Sequence, residues 1–339
     1  MAKSKVKAVI QYLFFLALGF VLLWLSFRKL NINLLWQEIK HADYQWLLLA
    51  LIFAVLSHIT RAARWNLMIN SMGYKTRLST TFFAVMVGYM ANTAVPRMGE
   101  FMRCGVLSKK ENIPFNALFG TVISERLFDM LVLLLIIFLV VLFQIDVVGG
   151  FLGKIFEPSF HSISENITLL AILVLVVIIS FILVLWLMYR FREKIKQLSF
   201  YSKLRLFIDG FWNGIKTVLK MKQKWLFLFY TFLIWLFYAL MTWIPLKMFS
   251  ETGNLTFFDG VTLLAVSSLG MVAPVPGGIG AYHIITKSFL FKVYGINQIV
   301  AGSFAAVNHA GQTLLNVFTG IVSYFLLGFL SKKQKPANE

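Results

Sequence analysis

Arginines and carboxylates recur at helical spacing inside stretches that are otherwise apolar. Ser124-Glu125-Arg126-Leu127-Phe128-Asp129 sets Glu125 and Asp129 four residues apart, with Arg126 three before Asp129. Arg61 and Arg64 stand three apart, as do Arg97, Glu100 and Arg103. Residues spaced by three or four share one face of a helix. Five arginines (Arg61, Arg64, Arg97, Arg103, Arg126) face three carboxylates (Glu100, Glu125, Asp129), so a site that gathered them would carry surplus positive charge. A guanidinium binds phosphate through two parallel hydrogen bonds, as an ammonium cannot. The guest expected at such a site is an anionic phospholipid headgroup. Plainer readings stand beside this one. Glu125, Arg126 and Asp129 form a self-neutralising cluster near the inner membrane surface, and Arg61 and Arg64 snorkel to that surface.

A second polar stripe lies near the C-terminus. Asn308, His309, Gln312 and Asn316 follow the 3, 4 and 7 spacing that lines one helix face. Neutral amides of this kind commonly join membrane helices at about 0.6 kcal/mol each. His283 follows a glycine-rich turn and has a backbone hydrogen bond as its simplest use. His58, His283 and His309 are the possible bases of an intramembrane enzyme acting on a lipid phosphate. Against that reading, the chain carries no acid-rich metal motif and no nucleophile beside a plausible base. Neither a metal nor any other cofactor is expected. No Gly-rich nucleotide loop ending in Lys-Ser or Lys-Thr is present, so an ion-coupled carrier of a small anion would draw on a gradient or a partner. With Cys104 as the single cysteine, no internal disulfide forms.

The elements that position these groups are set by the solvent. Of 339 residues, 59% are apolar and only 14% are charged, against about 25% charged in soluble domains. Runs of about 18 or more apolar residues match the hydrocarbon core of a bilayer. The expected fold is an all-α integral membrane protein with about six transmembrane helices and two re-entrant helical hairpins in an inverted repeat. The full spans are residues 8–27, 46–69, 115–143, 167–189, 225–248 and a last one ending near 330. Lys3, Lys5 and Lys7 precede the first span without a small-residue cleavage site after it, so it reads as a retained anchor.

The net charge of +18 is unevenly spread. Residues 190–224 hold ten basic groups against Glu193 and Asp209, whereas 144–167 holds Lys154 against Asp146, Glu157 and Glu165. By the positive-inside rule the first segment is cytoplasmic and the second external. Arg61, Arg64, Lys75 and Arg77 read as a further cytoplasmic connection. Both termini are then cytoplasmic, in a bacterial inner membrane. Between 203 and 222 apolar residues recur at helical spacing among basic ones, the pattern of an interfacial helix on anionic lipid. No nucleic-acid partner is needed to explain the basic balance.

Two apolar stretches, 79–110 and 257–294, must not cross if these charges are to keep their sides. Each breaks at its middle: Ala94-Val95-Pro96-Arg97-Met98-Gly99-Glu100 and Pro274-Val275-Pro276-Gly277-Gly278-Ile279-Gly280. Proline lacks a donor and glycine tolerates positive φ, so a helix ending there can reverse. Irregular backbone at membrane depth survives only where protein or a wet cavity satisfies it. Both tips are therefore expected to line one internal cavity. A span, a broken hairpin and a polar-bearing span occur twice, at about 46–143 and 225–330, in opposite orientation. Broken inverted repeats meeting near the midplane are a recurrent transporter plan. Lys287 and Lys292 fit poorly on the external hairpin.

The motifs together resemble a known family. They are Arg61-x-x-Arg64-Trp65, Asn92-x-x-x-Pro96-Arg97-x-Gly99-Glu100-x-x-Arg103, Gly120-Thr121-Val122-x-x-Glu125-Arg126-x-x-Asp129 and Pro276-Gly277-Gly278-x-Gly280. The combination resembles the lysylphosphatidylglycerol synthase transmembrane, or flippase-like, family over roughly residues 8–330. The resemblance implies the membrane half of the multiple peptide resistance factor, which moves aminoacylated phosphatidylglycerol across the cytoplasmic membrane. The soluble aminoacyl-transferase half is not in this sequence, so the expectation is a translocator and not an enzyme. Stand-alone members are associated with other lipids, including polyprenyl types. The expected partners are membrane lipids, with a second copy or a separate lipid-modifying enzyme beside them. Where the family often has an acidic residue three after the last glycine of the second turn, this chain has His283.

Overall fold

A computed structural model describes residues 2–144 and 221–332. Every regular element among them is helical: α1 (Ala2–Phe27), α2 (Ile32–His41), α3 (Tyr44–Ser71), α4 (Leu78–Ala94), α5 (Met98–Glu111), α6 (Phe115–Phe143), α7 (Lys224–Trp243), α8 (Phe257–Val272), α9 (Ala281–Tyr294) and α10 (Gln298–Lys332), with short 3-10 turns at Ile244–Met248 and Pro276–Gly278. Tyr44–Ser71, Phe115–Phe143, Lys224–Met248 and Gln298–Phe329 are long and apolar enough to cross a bilayer, and Tyr12–Phe27 with Ile32–His41 is a further candidate bent by 89°. The span expected at 167–189 and the interfacial helix expected at 203–222, all but its last two residues, lie outside the described residues.

The order of a long helix, two shorter ones and a second long helix occurs twice. It runs through 28, 17, 14 and 29 residues from α3 to α6, then 20, 16, 14 and 35 from α7 to α10. In each set the two shorter helices fold back on one another. Ala84 and Val85 of α4 share an apolar cluster with Cys104 and Leu107 of α5, and Leu263 of α8 packs with Phe289 and Leu290 of α9. Small residues permit the close approach, as is common where lipid offers no competing hydrophobic drive. A Cβ on Gly99 would enter the Gly88 carbonyl and the Asn92 side chain, and one on Gly270 would meet the backbone of Tyr282 at 2.9 Å.

The turns follow from local chemistry. At the first, Pro96 stops α4, Arg97 takes a left-handed conformation with φ 62°, and the Gly99 amide donates to Asn92 Oδ1 at 2.7 Å. That bond satisfies one of the amides left open at a helix start. At the second, Gly277, Gly278 and Gly280 have φ of 57°, 75° and 82°, which residues with a Cβ adopt only at a cost. The two tips touch: a Cβ on Gly277 would lie 3.7 Å from Thr93 Cα. α1 seals the second tip, with Gly19, Leu22 and Leu23 against Gly280.

Candidate functional site

The sequence reading gathers Arg61, Arg64, Arg97, Arg103 and Arg126 with Glu100, Glu125 and Asp129; of these the fold joins Arg61, Arg64, Arg103, Glu125 and Asp129 in one cluster by packing α3, α5 and α6 together. Glu125 is fully buried at its centre. Arg61 Nη1 reaches Glu125 Oε1 at 2.5 Å and Asp129 Oδ2 at 3.1 Å, Arg64 reaches Asp129 Oδ1 at 2.7 Å and Glu125 Oε1 at 3.3 Å, and Arg103 reaches Glu125 Oε2 at 3.3 Å. Three guanidiniums thus share two carboxylates in a buried interior. Arg64 Nη2 and Arg103 Nη2 stand at ion-pair distance but off the hydrogen-bond line. The Nε of Arg61, Arg64 and Arg103 is buried without an acceptor among the described residues.

Neighbouring side chains bind the guanidiniums of the cluster. Arg61 Nη2 donates to Tyr238 Oη at 2.8 Å and Arg64 Nη1 to Thr231 Oγ1 at 3.1 Å, both on α7. The Arg103 guanidinium lies 4.8 Å from the ring centroid of Trp65, whose indole N–H donates to Thr121 Oγ1 at 2.8 Å. Held by Thr121, the Trp65 ring gives the Arg103 cation a π face.

Two arginines behave differently. Arg126 pairs with Glu100 at 2.9 Å, with 42% of its side chain exposed. It borders a crevice between α4, α5 and α6, lined also by Gly88, Tyr89, Asn92, Gly99 and Arg103. Arg97 is exposed on the first turn and makes no ion pair among the described residues. Two expectations need correction. Arg61 and Arg64 do not snorkel, nor do they belong to a solvated loop; they are 3% and 0% exposed within α3, because carboxylates on α6 neutralise them. Only Lys75 and Arg77 remain as positive charges in the connection to α4.

The second polar stripe ties helices together at the other tip. Asn308 Nδ2 donates to Tyr282 Oη at 3.0 Å, Gln312 Nε2 to Asn308 Oδ1 at 3.1 Å, and His309 Nε2 to the Gly277 carbonyl at 2.8 Å. His283 accepts from the Gly280 amide through Nδ1 at 3.2 Å. Asn316 accepts from His58 at 3.0 Å. The His58 ring lies 4.4 Å from that of Tyr89, whose hydroxyl is 3.5 Å from Tyr238 Oη. Polar groups therefore run from the second tip towards the arginine cluster. The sequence reading missed Tyr89 and Tyr238, since a tyrosine in a membrane helix carries no signal of its partner. It also missed α2, although Asn31 before Ile32 is a helix-start signal: its side chain accepts from the amides of Asn33 and Leu34. Lys287 donates its ammonium to the Ser26 carbonyl, which accommodates a charge that fitted poorly on this hairpin.

Fold and site together define a polytopic helical membrane protein with an ion-paired interior. The family described as lysylphosphatidylglycerol synthase TM region matches residues 12–320, and the chain belongs to it. It is 24% identical over 337 residues to the UPF0104 membrane protein MJ1595 of Methanocaldococcus jannaschii, covering 96% of this chain and 95% of that protein. It is 25% identical over 301 residues to the UPF0104 membrane protein PH1989 of Pyrococcus horikoshii, covering 84% and 86%. No solved structure matches.

Proposed function

We propose that the chain translocates a lipid with an anionic headgroup across the cytoplasmic membrane, its tails remaining in the bilayer while the headgroup passes between the hairpins. The observation that carries this is the buried cluster of three guanidiniums and two carboxylates opening through Arg103 onto the Arg126 crevice. An unbalanced positive charge inside apolar helices is expensive, and residues of this kind line substrate paths. Arg61 and Arg64 are each held by two carboxylates, so they act as the fixed positive field. Arg126 is the exchangeable partner. Its half-exposed pair with Glu100 is worth at most about 1 kcal/mol, so a phosphate can take the carboxylate's place. The family's description as the membrane region of a lipid synthase supports a lipid cargo.

In this reading the hairpins are re-entrant, the two sets of helices form an inverted repeat, and both termini are cytoplasmic. The recurrence of helix lengths and the meeting of the two tips support it. A separate enzyme modifies the lipid, and a second copy of the chain is a further candidate neighbour. Purified protein in liposomes carrying headgroup-labelled phosphatidylglycerol tests the proposal through leaflet exchange read by dithionite quenching. Exchange should be fast with wild-type protein and slowed in Arg126→Gln. Rates equal to protein-free vesicles, or identical in wild type and variant, would refute translocation through this crevice.

A further inference from the structure

The second tip holds a pair of histidines whose protonation states follow from their partners. The Gly277 carbonyl can only accept, so His309 donates through Nε2–H. The Gly280 amide can only donate, so His283 Nδ1 is unprotonated. The two ring centroids are 4.8 Å apart, and both glycines belong to the left-handed turn that reverses the hairpin. A proton arriving at His283 Nδ1 would face the Gly280 N–H head-on. The bond that starts α9 would be lost, and the imidazolium would sit against its neighbour ring.

Among the described residues, the surroundings offer such a cation no counter-charge. The groups facing His283 are Tyr282 and Phe27, stacked at its edges, and His309. Lys287 on the same helix turns its ammonium to Ser26. α4 carries no charged residue, α1 carries only Lys3, Lys5 and Lys7, and α10 brings no carboxylate. The one carboxylate on any described helix packed against the tip is Asp259, in the first turn of α8, where it bonds Thr256. A charged His283 is therefore compensated only by opening the tip to water or by an anion entering it.

We propose that His283, backed by His309, is a proton-binding site that opens the second hairpin and links proton movement to passage of the anionic headgroup. The proton comes from solvent, adds to the Nδ1 lone pair, and leaves to solvent when the tip closes; no other bond is made or broken. On the helix that carries His309, Asn316 begins a run of contacts through His58, Tyr89 and Tyr238 to Arg61 of the arginine cluster. The proposal rests on the translocation reading for its cargo but not for its proton.

The test therefore has two arms. In the first, hydrogen exchange of the tip amides is followed in reconstituted protein across the histidine range, about pH 5 to pH 8, corrected for intrinsic rates. Wild-type protection at Gly280 should be constant above the free-imidazole pKa of about 6.5 and fall by about tenfold for each pH unit below it, as the open fraction grows. His283→Gln keeps an acceptor for the Gly280 amide, as glutamine does at this position of a helix start, and should be protected and pH-insensitive. His309→Gln keeps a donor to Gly277 and should retain the response. In the second arm, leaflet exchange is measured with and without an imposed pH gradient. Wild type should respond to the gradient and His283→Gln should not. Gly280 protection that follows intrinsic rates alone, or an unchanged response in His283→Gln, overturns the proton site. Gradient-independent exchange overturns the coupling and leaves translocation standing. A pH-opened tip with no lipid exchange in any variant supports the proton site and refutes the lipid cargo.

Discussion

Replacing Glu125 with Gln removes the carboxylate that three guanidiniums share, and the cost follows from the geometry. Arg103 lies 3.3 Å from Glu125 and has no other carboxylate within ion-pair distance among the described residues. At an effective dielectric of about 20, unit charges at that separation attract by about 5 kcal/mol, most of which offsets desolvation. Removing one partner of a buried pair costs about 3–5 kcal/mol, because the other charge is left without compensation. Glu125→Gln should destabilise the protein by that amount. Arg103→Gln alone should cost less, since Arg61 and Arg64 still hold Glu125. In the double variant the charge balance of the cluster returns to its original value, so the two losses should not add. A coupling of about 1.5–3 kcal/mol is expected. Unfolding in mixed micelles by added dodecyl sulfate, followed by tryptophan fluorescence, measures all three. Strict additivity would show that Arg103 and Glu125 are not one electrostatic unit, and the account of the cluster would fail.

Gly99→Ala should cost about 3 kcal/mol or more by driving α4 and α5 apart, since its Cβ would enter the Gly88 carbonyl and Asn92. Gly105→Ala in the same helix meets nothing within 4 Å and should stabilise by about 0.5–1 kcal/mol; the same micellar titration compares them, and equal effects would refute the packing argument. Arg97→Gly relieves a left-handed residue at φ 62° and should stabilise by about 1 kcal/mol. A loss in that titration would mean that the guanidinium makes a contact outweighing the backbone strain.

Much of the architecture is legible in the amino-acid sequence alone. The apolar runs mark α3, α6 and α7 with its 3-10 extension to within two residues at either end, because each must match a bilayer and end in polar groups. Pro96 and the Pro276-Gly277-Gly278 run mark both reversals, because the chemistry of these residues forbids a continuing helix. Spacing places Glu125 with Asp129, and Arg61 with Arg64, on common faces. Composition and charge thus determine that the chain is a helical membrane protein with broken segments and costly interior charges.

Spacing within one helix says nothing of which faces meet. Whether Arg61 and Arg64 belong to the inner surface or to a buried cluster depends on carboxylates 61 to 68 residues away on α6. The separate fates of Arg103, under the Trp65 ring of α3, and Arg126, half-exposed beside Glu100, depend on which side chains of other helices each one meets. Likewise His283 and His309 are 26 positions apart in sequence, and only the closure of α9 on α10 sets their rings 4.8 Å from one another. Local sequence settles where helices start, stop and turn, because those choices involve only backbone and near neighbours. Charge pairing between helices is a tertiary decision, since it depends on separations that no local pattern encodes.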